Sequence, residues 1–122
     1  MEKKEVFCRI RIVGENVHGV GYLPFLMRIA RRLSIPKFDA ENFEEAPQRI
    51  EVLAGGNEDS ISEFVRTVKE RQPKDARVVS ITSNPESPKH VLLIDEYDRI
   101  LSAELWDKLI CAWAAYARKA GG

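Results

Sequence analysis

Hydrophobic and polar residues alternate along residues 5–13, EVFCRIRIV, with Val6, Cys8, Ile10 and Ile12 on one face and Phe7, Arg9, Arg11 and Val13 on the other. A period of two predicts a strand, and the two arginines predict a partly wet second face. Gly14, Gly19 and Gly21 then mark a loop with unusual backbone angles or a close approach. A helix is expected from Pro24, whose missing N–H costs nothing in a first turn, with Leu23 as its poor cap. Phe25, Leu26, Ile29, Ala30 and Leu33 form its apolar stripe, and Ser34-Ile35-Pro36 ends it. Phe38 belongs to a short strand followed by Asn42, and Glu44-Glu45-Ala46-Pro47 reads as a turn.

The pattern then repeats. Residues 49–54, RIEVLA, alternate as a strand that Gly55-Gly56 is expected to stop. Ile61, Phe64, Val65 and Val68 carry the helical i, i+3, i+4, i+7 spacing, predicting a helix over residues 58–71. Ser60 and Glu63 have capping-box spacing, with Asn57 as the rival cap. Residues 76–82 read as another strand, 83–89 as a turn-rich connection and 90–94, HVLLI, as a fifth strand. A last helix is expected over residues 102–119, with Leu105, Trp106, Leu109, Ile110, Trp113, Tyr116 and Ala117 on a broad apolar face.

This order is that of an α+β protein: a ferredoxin-like split β-α-β sandwich (βαββαβ) with an extra C-terminal strand and helix. Residues 1–122 are expected to form a single domain, with 5–84 as its core and 85–122 as an extension packing on or beside it. The extension could cover the open face of the sheet or make a dimer contact. Core packing is the favoured role for Trp106 and Trp113, ahead of a partner surface.

Composition narrows the functions. Nineteen basic and nineteen acidic residues leave no net charge, so no global field draws the 122-residue chain to nucleic acid or an anionic membrane. Cys8 and Cys111 lack metal spacing and read as small buried hydrophobes. His18 and His90 are too isolated for zinc. The opening residues lack the apolar core of a signal peptide, and the most apolar stretch, residues 109–117, is too short to span a bilayer. A cytoplasmic setting is expected by default.

The candidate chemistry lies in the glycine loop. A strand, a loop in which Gly19 and Gly21 let successive N–H groups turn inward, and a helix start make an anion cradle. The glycine spacing fits neither the dinucleotide pattern nor a nucleotide P-loop. The cradle would involve Glu15, Asn16, Val17, His18, Gly19, Val20, Gly21, Tyr22 and Leu23.

The run IVGENVHGVGY, residues 12–22, resembles the first strand and phosphate loop of the acylphosphatase family, whose usual loop ends G-x-V-Q-G-V-G-F-R. Phe25 and Ala30, Asn42 before its turn, the strand RIEVLAGG, the second helix and Ala76-Arg77-Val78 extend the resemblance to residues 6–83. Leu23-Pro24-Phe25 also stands where hydrogenase-maturation carbamoyltransferases often have Arg-Pro-Phe. The resemblance implies the split βαβ plan and hydrolysis of acyl phosphates without a cofactor. It implies that Asn42 positions the attacking water.

It also exposes departures. The family's catalytic arginine maps to Leu23, which has neither charge nor donor; His18 replaces the usual glutamine; the loop carries one extra residue, Glu15 or Asn16. Phosphoryl transfer depends on positioning and electrostatic stabilisation, so losing the arginine argues against efficient catalysis without abolishing the backbone cradle. Arg9, Arg11, Arg28, Lys37 and Arg49 are the cations considered as substitutes, and His18 as an acid or anion contact. Three readings are open. The first is a divergent acylphosphatase-like protein with weak or absent hydrolysis that retains binding of acyl phosphate, inorganic phosphate or a partner. The second is an active acylphosphatase with a substitute cation. The third is a non-catalytic interaction module, homodimeric or partner-bound through its C-terminal helix. Nucleic-acid and membrane partners are not expected, nor is a metal.

Overall fold

The computed structural model describes residues 5–87 and 90–121. It contains β1 (Glu5–Asn16), α1 (Tyr22–Arg32), β2 (Lys37–Phe43), β3 (Gln48–Asn57), α2 (Glu58–Glu70), β4 (Arg77–Glu86) and α3 (Ile94–Gly121). The four strands form one antiparallel sheet in the order β2-β3-β1-β4. The fold is the ferredoxin-like βαββαβ plan with an added C-terminal helix.

Alternation decides which face of the sheet is buried. Cys8, Ile10 and Ile12 of β1, Phe38 and Ala40 of β2, and Ile50, Val52 and Ala54 of β3 point into one core. Leu26, Ile29 and Ala30 of α1 and Ile61, Phe64 and Val68 of α2 close over them. The opposite face is charged: Arg9 pairs with Glu51 at 3.2 Å and Glu86 at 3.1 Å, and Arg11 with Glu51 at 3.3 Å. Burial pushes the Glu51 carboxyl up, but Arg11, Arg9 and Arg49 outweigh it and hold it below the ordinary range.

Several elements run further than periodicity predicts. β3 continues through Gly55-Gly56 to Asn57. A Cβ on Gly55 would lie 2.6 Å from the Phe7 ring, so this glycine permits a close approach inside the sheet instead of stopping the strand. β4 includes Ser83–Glu86, expected as a turn, because β1 supplies partners as far as Phe7↔Glu86. Pro85 is tolerated there because β4 is an edge strand. Pro88 and Lys89, from the same expected turn, lie outside the described residues.

The caps show which rival signals won. α1 begins at Tyr22 after Gly21, two residues before Pro24, so Leu23 is inside the helix and is not its cap. Ser34, with φ 57°, ends α1 in a Schellman arrangement: Ile35 N donates to Ala30 O and Ser34 N to Arg31 O, both at 3.0 Å. At α2, Asn57 Oδ1 accepts from Ser60 N at 2.8 Å, so asparagine caps the helix and Ser60 lies in its first turn.

The C-terminal segment departs most from expectation. Residues 90–94 do not form a fifth strand; they make one isolated bridge, Lys37↔Leu93, with Phe38 N donating to Leu92 O and Ile94 N to Pro36 O. Pairing stops there because α3 starts at Ile94, eight residues before the expected helix. Its first turns carry Ile94, Tyr97 and Leu101 into the core, at the i, i+3, i+7 spacing of one helix face. Tyr97 Oη donates to Ala40 O at 3.0 Å, and its ring meets Phe38 edge-on at 4.9 Å between centroids. α3 therefore packs beside β2 and α1 and leaves the charged sheet face open. Further along, Trp106 is 62% and Trp113 66% exposed, with Leu105, Leu109 and Ile110 also exposed. The expected core role for both tryptophans is thus overturned. The helix has outrun the small core beneath it. The side chains of Tyr116 and Ala117 lie outside the described residues.

Candidate functional site at the start of the first helix

The loop is built where β1 leaves the sheet. Gly14 lies between two register shifts in the β1–β4 pairing. A Cβ there would stand 2.1 Å from Arg77 O and 2.9 Å from Val78 Cα, so only glycine fits. Glu15 and Asn16 remain in β1, and Asn16 Nδ2 donates to Asp75 O at 3.1 Å. Their side chains belong to the strand end, whereas the sequence pattern groups them with the cradle. The Val17 side chain is buried in the core.

Gln48 shapes the first part of the loop. It faces Gly14 across the β1–β3 pair, and its Oε1 accepts from Val17 N at 2.9 Å and His18 N at 3.0 Å. His18 Nε2 donates to Arg49 O at 3.0 Å. A carbonyl only accepts, so this bond places the proton on Nε2 and turns the ring to the protein backbone. Two expected cradle amides are therefore already paired, and His18 acts as a brace. Nothing in the sequence pattern singled out Gln48.

The next three amides differ. Gly19 and Gly21 have φ of 71° and 74°, the left-handed region open to glycine, and a Cβ on either would meet nothing within 4 Å. Among the described residues, Gly19 N, Val20 N and Gly21 N have no hydrogen-bond acceptor, while Gly21 O accepts from Phe25 N to open α1. Consecutive unpaired N–H groups at a helix start carry a partial positive charge. Tyr22 is buried, its Oη has no partner among the described residues, and burial pushes its phenol up to about 12.

Asn42 reaches the same place from β2. It pairs with Ile50, which in turn pairs with Ile12, so the three strands align it with the end of β1. Alternation sets Asn42 on the helix-side face with Phe38 and Ala40, and it is exposed. A cavity of about 130 Å³ is lined by Gly19, Gly21, Leu23, Asn42, Glu104 and Lys108 among others. A larger neighbour of about 420 Å³ shares Leu23, Asn42 and Glu104 and adds Asp39 and Glu41. Burial, then Glu41, raises the Asp39 carboxyl. Three carboxylates, Asp39, Glu41 and Glu104, make the larger space unfavourable for an anion, whereas Glu104 is the one of them that also lines the smaller cavity.

None of the cations weighed against the missing arginine lines either of these cavities. Arg9 and Arg11 lie on the open sheet face. Arg49 is 3.4 Å from Glu51 and 4.5 Å from the Phe43 ring centroid, and Lys37 is 2.9 Å from Glu5. Arg28 lines a groove between α1 and α2. Of the cysteines, Cys8 is buried, with its thiol pushed up to about 11 by desolvation, whereas Cys111 is exposed, contrary to expectation. No group of three or more His, Cys, Asp or Glu is arranged to hold a metal among the described residues. No helix among them is long and apolar enough to cross a membrane.

Gln48→Ala is expected to destabilise the chain by about 1–3 kcal/mol, because two loop amides lose their acceptor. Gln48→Glu is expected to retain most of that stability. Urea unfolding of both variants checks this, and equal losses would show that Oε1 is not the anchor.

A split βαβ sandwich with a glycine loop at its first helix defines a class of small α+β proteins. The acylphosphatase family profile matches residues 8–93. An acylphosphatase of Deinococcus radiodurans is 36% identical over 70 residues, covering 57% of this chain and 76% of that protein. The chain belongs to the acylphosphatase family. Among solved structures, an acylphosphatase from Bacillus subtilis superposes with a TM-score of 0.56 at 25% identity, over 69% of this chain and 88% of the other. Full-length HypF in its phosphate- and nucleotide-bound form reaches 0.62 at 23% identity, over 75% of this chain but only 11% of that one. That likeness shows the fold alone.

Proposed function

We propose that the chain is a divergent acylphosphatase-family protein that binds a small phosphate-type anion at Gly19–Gly21 and hydrolyses acyl phosphates weakly or not at all. The observation that carries this reading is the row of three unpaired amides at the start of α1, beside Asn42 and closed by Leu23. The amides and helix start offer hydrogen bonds and partial positive charge to phosphoryl oxygens. Asn42 is suited to orient a water through its carboxamide. Leu23 supplies no charge to stabilise the transition state. Residues 1–122 act as a single cytoplasmic domain, with 5–84 as the core and 85–122 as the extension.

Titration of the labelled chain with inorganic phosphate, followed by amide NMR, tests the anion site. The largest shifts are expected at Gly19, Val20 and Gly21, with smaller ones at Val17 and His18. Unmoved loop amides at millimolar phosphate would remove the reading. Partner binding through α3 is the second reading, favoured by the exposed Trp106, Leu109 and Ile110.

A further inference from the structure

The family match ends at residue 93, and α3 begins at Ile94, so every residue that α3 brings to the loop lies outside the part shared with the family. Two of its contributions are complementary. Leu101 is buried in the core against which Leu23 packs, giving an apolar setting to the position where the family's pattern has arginine. Leu101, Glu104, Leu105 and Lys108, at helical i, i+3, i+4, i+7 spacing, line the loop cavity. Among the described residues, Lys108 is the one cation lining either cavity that contains Leu23. It has no ion-pair partner among them.

We propose that Lys108, delivered by α3, is the anion-contacting cation of this site and takes over the charge that Leu23 lacks. This rests on the reading of the loop as an anion site. A lysine is a flexible point charge with three rotatable donors, whereas arginine is a planar bidentate fork. Reaching in from an exposed helix, it neutralises a bound phosphoryl group without clamping its geometry. The site therefore retains affinity while hydrolysis stays slow. Glu104, one turn earlier, also lines the cavity but forms no ion pair with Lys108, so the ammonium is left available to an anion.

The experiment uses the full chain and inorganic phosphate, with affinity read from the Gly19, Val20 and Gly21 amide shifts. Lys108 is exposed, so its replacement leaves the fold intact. Lys108→Ala is expected to weaken phosphate binding by about tenfold, the loss of one charge-assisted contact. Lys108→Arg retains binding, and Lys69→Ala, an equal charge change on α2, leaves it as in the parent chain. Adding Leu23→Arg to Lys108→Ala is expected to restore affinity. Unchanged affinity in Lys108→Ala, or an equal loss in Lys69→Ala, overturns the assignment of Lys108 while leaving the loop reading intact. No phosphate shift at the loop in the parent chain overturns both.

Discussion

Replacing Leu23 by arginine is expected to raise the rate of acyl-phosphate hydrolysis by about 10²–10³, the usual weight of one well-placed donor to a developing negative charge. The guanidinium would begin from the second residue of α1, next to the unpaired amides and on the same cavity wall as Asn42. Two parallel N–H bonds would orient a phosphoryl group as well as neutralise it. Because Leu23 packs against the core, the substitution is also expected to lower stability by about 1–2 kcal/mol. Steady-state hydrolysis of a simple acyl phosphate, with and without an added Asn42→Ala change, provides the measurement. A gain that Asn42→Ala abolishes would locate the chemistry at this loop. A folded Leu23→Arg chain with no gain would show that the cradle no longer presents a phosphoryl group to water.

Tyr97→Ala should cost about 3–5 kcal/mol, as for other large buried aromatic side chains cut back to alanine. The ring fills the space between Phe38 and α3, and its hydroxyl satisfies the Ala40 carbonyl. Tyr97→Phe retains the ring and loses the hydrogen bond, so about 1–2 kcal/mol is expected. Urea unfolding separates the two terms. A Tyr97→Ala cost below about 1 kcal/mol would mean that the start of α3 is not part of the cooperative core. Tyr97 therefore decides whether Lys108, three turns further along the same helix, is held near the loop.

Much of the scaffold was legible in the residue pattern because short-range periodicity reports which side faces the core. The alternation of Cys8, Ile10 and Ile12 and the helical spacing of Ile61, Phe64 and Val68 both appear as buried faces. The glycine loop was legible too, since Gly19 and Gly21 occupy the backbone region that favours glycine. Strand ends were less legible. Gly55-Gly56 and Asn84-Pro85 carry local turn signals, but pairing with β1 outweighs them.

The order of strands and helices through β4, the inward face of each and the glycine conformations at the loop come from sequence alone, because each is set by residues a few positions apart. Only tertiary structure decided that Gln48 occupies two of the loop amides, that Asn42 meets the loop, and that Lys108 rather than Arg9, Arg11 or Arg28 lines its cavity. Those pairings join residues distant along the chain, and no local periodicity encodes which distant charge is left without a partner. The exposed tryptophans of α3 make the same point: amphipathic spacing shows that a helix has an apolar face, but only the size of the core beneath it decides how much of that face is covered.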